Sequence, residues 1–122
     1  MPAAARLLLV DDEAPLLELL KKYLERLGYE VDACTAPEEA LILFEADPRR
    51  YALVLTDLTL PRMNGEEMLD RMRTRHGRLR AILSSGYPHQ TQSKNVIFLQ
   101  KPYLPKMLAE TIEKMLAGQK TT

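Results

Sequence analysis

The 122-residue chain reads as an α/β domain with a doubly wound, five-stranded parallel sheet in the order 2-1-3-4-5 and helices on both faces. Three observations lead there. Short continuous apolar runs at 7–10, 52–55 and 81–83 suit strands buried on both sides. Between the runs lie stretches whose apolar residues recur near every 3.6 positions, the spacing of a helix with one buried face. The two patterns alternate along the chain, and such alternation implies parallel strands joined by right-handed crossovers.

Each element has its own signal. Leu7-Leu8-Leu9-Val10 is the first strand and ends in Asp11-Asp12-Glu13. The helix after it carries Leu16, Leu17, Leu20, Tyr23, Leu24 and Leu27, with Asp12 as the expected N-cap, Pro15 tolerated in the first turn and Gly28 as the stop. Residues 30–35 make a short second strand. Ala36-Pro37-Glu38-Glu39 opens a second helix on Ala40, Leu41, Leu43 and Phe44, which Asp47-Pro48-Arg49-Arg50 breaks. The run 52–55 then leads into Thr56 and Asp57, and Pro61, Asn64 and Gly65 punctuate a loop. A third helix covers about 66–75 on Met68, Leu69 and Met72, closed by Gly77. Residues 80–85 form the fourth strand, running into Ser84-Ser85-Gly86, and 96–99 the fifth, ending at Gln100-Lys101-Pro102. The last helix, about 104–116, carries Leu108, Ile112, Met115 and Leu116. One helix is missing from the alternation. The ten residues between Ser85 and Val96 show no apolar periodicity and contain Pro88, so a loop or at most one turn is expected there. Residues 118–122 read as a frayed tail.

Bulk properties narrow the function. The length fits one domain, spanning 1–122 with its core at about 6–116. Seventeen basic residues balance seventeen acidic ones, so no positive surplus points to nucleic acid or an anionic membrane as the main partner. A single cysteine, Cys34, excludes an internal disulfide and suits a reducing compartment. The apolar start is interrupted by Arg6 and stopped by Asp11, too short for a signal peptide or membrane span, so a cytoplasmic location is expected.

The chemistry gathers where the strands end. In open α/β sheets ligands bind outside the C-terminal ends of the strands. There this order brings together Asp11 and Asp12, Asp57, Ser84 or Ser85, and Lys101. Taken singly, Asp11 and Asp12 serve equally well as helix caps, Asp57 as a solvated turn residue and Lys101 as a surface lysine. Taken together, three carboxylates repel one another, a conflict that a hard divalent cation such as Mg²⁺ removes. A lysine and a hydroxyl beside them suit an anion. A phosphoryl group on Asp57 would use all of these, since phosphoryl transfer needs charge neutralisation and positioning.

LLLVDDE, LVLTDLTLPRMNG, ILSSGY and FLQKP, in this order, strongly resemble the receiver domain of two-component response regulators, most of all the receivers fused to hybrid sensor histidine kinases. The similarity covers about 6–116. It implies a flavodoxin-like receiver fold, lacking here all or most of its fourth helix, and a role as phospho-acceptor. In it Asp57 takes phosphate from a histidine kinase or histidine phosphotransfer domain. Asp12 and Asp57 correspond to direct metal ligands, Asp11 to a ligand acting mainly through water, and Thr59 to the one that ligates by its backbone carbonyl. Ser85, followed by the small Gly86, matches the hydroxyl that moves toward the phosphoryl group, and Phe98 the aromatic switch, for which plain core packing is the alternative. Lys101 matches the phosphate-binding lysine, followed by a cis peptide at Pro102. Thr59 and Tyr87 match positions bordering the path of hydrolytic water. Such a domain is a self-modifying switch, not an enzyme acting on a substrate pool, and binds no nucleic acid directly. A homodimer stays open.

Three rivals stand beside this reading. A cofactor-binding metabolic enzyme of the same fold would carry a Gly-rich phosphate loop where Asp-Asp-Glu stands. A haloacid-dehalogenase-type phosphatase would have its nucleophile after the first strand in a D-x-D arrangement. A degenerate receiver, used only as a protein-binding module, would have lost its acceptor or lysine, and this chain has both.

Overall fold

The computed structural model describes residues 4–90 and 95–117; the expectation of a frayed tail at 118–122 falls outside them. Strands β1 (Arg6–Val10), β2 (Glu30–Cys34), β3 (Leu53–Asp57), β4 (Ala81–Ser85) and β5 (Val96–Gln100) form one parallel sheet ordered β2-β1-β3-β4-β5. Helices α1 (Ala14–Arg26), α2 (Pro37–Ala46), α3 (Gly65–Arg75) and α4 (Pro105–Ala117) complete the described fold, with a 3-10 turn at Pro48–Arg50.

Residues of opposite parity on each central strand feed two cores. Leu8, Val10, Val54, Ala81 and Leu83 pack with Ala40, Phe44, Met68 and Met72 of α2 and α3. Leu7, Leu9, Leu53, Leu55 and Ile82 pack with Leu17, Leu20, Leu24, Leu108 and Ile112 of α1 and α4. β3 and β4 are buried at every position, which is why their sequences are continuous apolar runs and not alternating ones.

Two details of α1 differ from expectation. Its N-cap is Glu13, with no side-chain cap hydrogen bond, and not Asp12. Asp11 Oδ1 accepts the Glu13 backbone N–H at 2.9 Å, so a local side-chain turn sets the helix entry one residue later. Leu27 is 53% exposed because α1 ends at Arg26, before the stripe reaches it. In α3, Asn64 and Glu67 form a full capping box. Residues 86–90 carry no helix, in keeping with the expected loop; 91–94 lie outside the described residues.

Candidate functional site

Every strand bearing a predicted site residue stops at the same edge, and parallel register aligns the ends. Val10 pairs with Thr56, Asp57 with Ser84, and Ser85 with Gln100. Loop hydrogen bonds extend the alignment: Leu58 N–H donates to the Ser84 carbonyl at 2.7 Å, and Lys101 N–H to the Ser85 carbonyl at 2.8 Å. Asp57 and Lys101 are thus held by backbone on rigid strand ends. The peptide bond from Lys101 to Pro102 is cis, as the resemblance implied.

The carboxylates converge. One oxygen each of Asp11, Asp12 and Asp57 lies within 4.8 Å of the other two. Asp11 and Asp57 are buried, and Asp12 is exposed. The Lys101 ammonium reaches in from β5, 2.9 Å from Asp11 Oδ2, 3.5 Å from Asp57 Oδ2 and 3.6 Å from Glu13 Oε1. Burial lifts the Asp57 carboxyl above its ordinary value; Lys101 pulls it back, and Asp11 and Asp12 add to the lift. Burial works against the Lys101 ammonium, but its carboxylate neighbours outweigh that and hold it above the ordinary lysine value. Clustered hard oxygen donors with one carboxyl pushed upward are what a Mg²⁺ ion relieves, so the residues present fit that ion.

The two serines have different partners. Ser85, buried, accepts the Tyr87 backbone N–H at 3.1 Å through its Oγ. Ser84, the neighbour of opposite parity, faces the Tyr103 side chain, whose phenol burial pushes up to about 12. Tyr103, with Glu13, Leu16, Gly86, Lys101 and Pro102, lines a cavity of about 430 Å³ beside the cluster. Glu13 and Tyr103 were not among the sequence candidates. For Glu13 the signal was present, a third acid directly after the pair, whereas Tyr103 had none. Thr59 is exposed in the loop after β3. That loop is closed by Gly65 N–H donating to the Leu58 carbonyl at 2.8 Å. Arg62, in left-handed backbone at φ 68°, forks onto Glu38 at 2.9 and 3.0 Å. Tyr87 is 78% exposed. Phe98 is half-buried on the edge strand, against the ring of His89. Cys34 lies in the core with its thiol pushed up to about 12 by burial and then by Glu39, which removes it as a nucleophile.

A family model described as the response regulator receiver domain matches residues 7–113. The chain is 30% identical over 125 residues to the sensor kinase CckA of Brucella abortus, covering 98% of this chain and 13% of that protein. It is 29% identical to the regulatory protein VanRB of Enterococcus faecalis, covering 91% of this chain and 52% of that one. Among solved structures, the receiver domain from the hybrid histidine kinase CckA superposes with a TM-score of 0.84 at 32% identity, covering 92% of this chain and 99% of that one. A CheY-like receiver domain protein from Methanospirillum hungatei gives 0.88 at 29% identity, covering 96% and 97%. The chain therefore spans about half or less of these two curated relatives. With the family model covering nearly all of the sheet and its helices, the chain belongs to the response regulator receiver domains of two-component systems.

Proposed function

We propose that the domain is a phospho-acceptor switch in which Asp57 takes a phosphoryl group from the phosphohistidine of a histidine kinase or histidine phosphotransfer domain. One observation carries this: the Lys101 ammonium is drawn into the same small volume as the Asp11, Asp12 and Asp57 carboxylates. An Asp57 oxygen forms the new bond to phosphorus as the phosphorus–nitrogen bond breaks. The imidazole nitrogen keeps that electron pair and takes a proton from solvent. Lys101 turns from Asp11 to a phosphoryl oxygen, and the Ser85 hydroxyl donates to another. The Asp11, Asp12 and Asp57 carboxylates and the Thr59 carbonyl would hold Mg²⁺. When bound, the ion supplies charge neutralisation for the carboxylates and the phosphoryl oxygens.

In this reading residues 6–116 are the core of one receiver domain, working in the cytoplasm as a switch that promotes its own phosphorylation and dephosphorylation. Ser85 and Phe98 carry the conformational response. Thr59 and Tyr87 flank the approach of water, and the bulk of Tyr87 slows phosphate loss. Tyr87→Ala is then expected to lose its phosphate faster than the parent, and an unchanged half-life would remove that role.

The main test is incubation with Mg²⁺ and a small phosphodonor, followed by mass spectrometry. The expected result is a single phosphate adduct in the parent that Asp57→Asn lacks. An unchanged parent mass would instead favour a receiver that binds partners without being phosphorylated. The helix-free stretch 86–90, where receivers usually carry part of their output face, is the observation that speaks for that second reading.

A further inference from the structure

Phe98 lies half-buried on β5, an edge strand of the sheet. No helix of the described residues follows β4 to cover it. Its aromatic neighbour is His89: the ring centroids are 6.0 Å apart and the planes tilted by 55°, within the range of favourable tilted ring pairs. His89 is itself tethered. Its Nε2 is shielded from solvent and lies 3.2 Å from Oε1 of Glu66, in the first turn of α3. Among the described residues that nitrogen has no hydrogen-bond partner; Glu66 stands beside it without forming a hydrogen bond. The Glu66 carboxylate beside that nitrogen limits where the ring sits, and the ring limits where Phe98 sits. Two residues before Pro88 and His89 the chain leaves the site through Gly86 and Tyr87, whose turn is held by the Tyr87 N–H bond to Ser85 Oγ.

We propose that His89, clasped between Glu66 and Phe98, is the positioning residue of the aromatic switch, supplying cover that no helix of the described residues gives between β4 and β5. The proposal rests on the phospho-acceptor reading and adds its route of transmission. When the Ser85 hydroxyl swings toward a phosphoryl group on Asp57, its oxygen leaves the Tyr87 N–H. The turn at 86–87 loosens, His89 is drawn off Glu66, and Phe98 loses the ring that holds it. Phosphorylation is thus read out at the connection between β4 and β5 and not on a helical face.

The test follows the Phe98 ring signals by NMR in the whole chain, with and without Mg²⁺ and a small phosphodonor, while mass spectrometry reports the adduct on the same samples. In the parent, Phe98 is expected to shift when the adduct forms. In His89→Ala the adduct is expected at the parent's yield, with Phe98 already near its phosphorylated position and little further shift. Glu66→Gln, which keeps an oxygen acceptor but removes the charge, is expected to fall between the two. Both variants remain interpretable if their far-ultraviolet circular dichroism matches the parent. If one does not, the parent's His89 ring signals serve instead, and they must move together with those of Phe98. An adduct with identical Phe98 shifts in parent and His89→Ala, or with no shift in either, would overturn the clasp while leaving the phospho-acceptor reading intact. No adduct at all would overturn that reading and the transmission built on it.

Discussion

Gly65 sits where α3 starts and where β3 ends, and the two come so close that a side chain does not fit. A Cβ built on Gly65 would lie 2.3 Å from the Asp57 carbonyl oxygen, 3.2 Å from its carbonyl carbon and 3.0 Å from Leu83 Cδ1. Real Cβ atoms essentially never come nearer than 3.0 Å, so Gly65→Ala demands a movement of at least 0.7 Å. Neither partner yields easily. The helix start is pinned by the Asn64–Glu67 capping box and by the Gly65–Leu58 hydrogen bond, and the Asp57 carbonyl accepts the Thr56 hydroxyl at 2.9 Å. Overpacking costs roughly 1–3 kcal/mol, and a clash of backbone with Cβ belongs at the upper end. Loss of unfolded-chain freedom returns about 0.5–1 kcal/mol. The net is about 2 kcal/mol, or roughly 8 °C in Tm for a domain of this size. Gly77→Ala is the control, since nothing lies within 4 Å of its Cβ and its backbone is not left-handed; its Tm is expected to stay level or rise slightly. Thermal unfolding followed by circular dichroism reads both. If Gly65→Ala melts within about 2 °C of Gly77→Ala, where overpacking predicts about 8 °C, the close approach of helix and strand end is wrong. The same displacement acts on the Asp57 peptide, so adduct formation is expected to slow as well.

Two further outcomes follow from the charges. A carboxyl raised on folding stabilises the folded state in acid and loses that contribution as pH rises through its folded value. Asp57→Asn is therefore expected to melt above the parent at pH 7, with the gap closing below about pH 4 and on adding Mg²⁺ to the parent; a parent that melts higher at pH 7 without Mg²⁺ contradicts this. Asp32 behaves the opposite way. Burial raises its carboxyl, but hydrogen bonds from Tyr51 and Arg50 and the charge of Arg6 outweigh that and hold it below the ordinary value. Its contribution is present above about pH 4 and is lost as pH falls through the folded value. Asp32→Asn is expected to cost about 2 kcal/mol at pH 7, measured by urea unfolding, and much less near pH 3; equal losses at both would refute the assignment.

The three central strands were legible because burial on both faces writes itself as unbroken apolar runs, and the strand-end positions of Asp11, Asp57 and Ser85 followed from where those runs stop; the half-exposed edge strands β2 and β5 were read from their place in the alternation. The N-cap of α1 was misplaced by one residue for a local reason. Asp11, Asp12 and Glu13 are all acids beside a helix start, and composition does not say which carboxylate turns back onto the chain. Here Asp11 does so, through the oxygen that does not face Lys101.

What the linear order of residues determined was the fold class, the edge at which the acids and the lysine gather, and the absence of a helix from residues 86–90. Each depends on periodicity or on turn residues, which act over a few neighbouring positions. What only the assembled domain decided was which groups meet: Lys101 leaning on Asp11 across ninety positions, Glu13 facing that lysine, Tyr103 facing Ser84, and His89 lodged between Glu66 and Phe98. Such pairings arise from crossovers that fold distant segments onto one sheet edge, and no local pattern encodes the resulting distances.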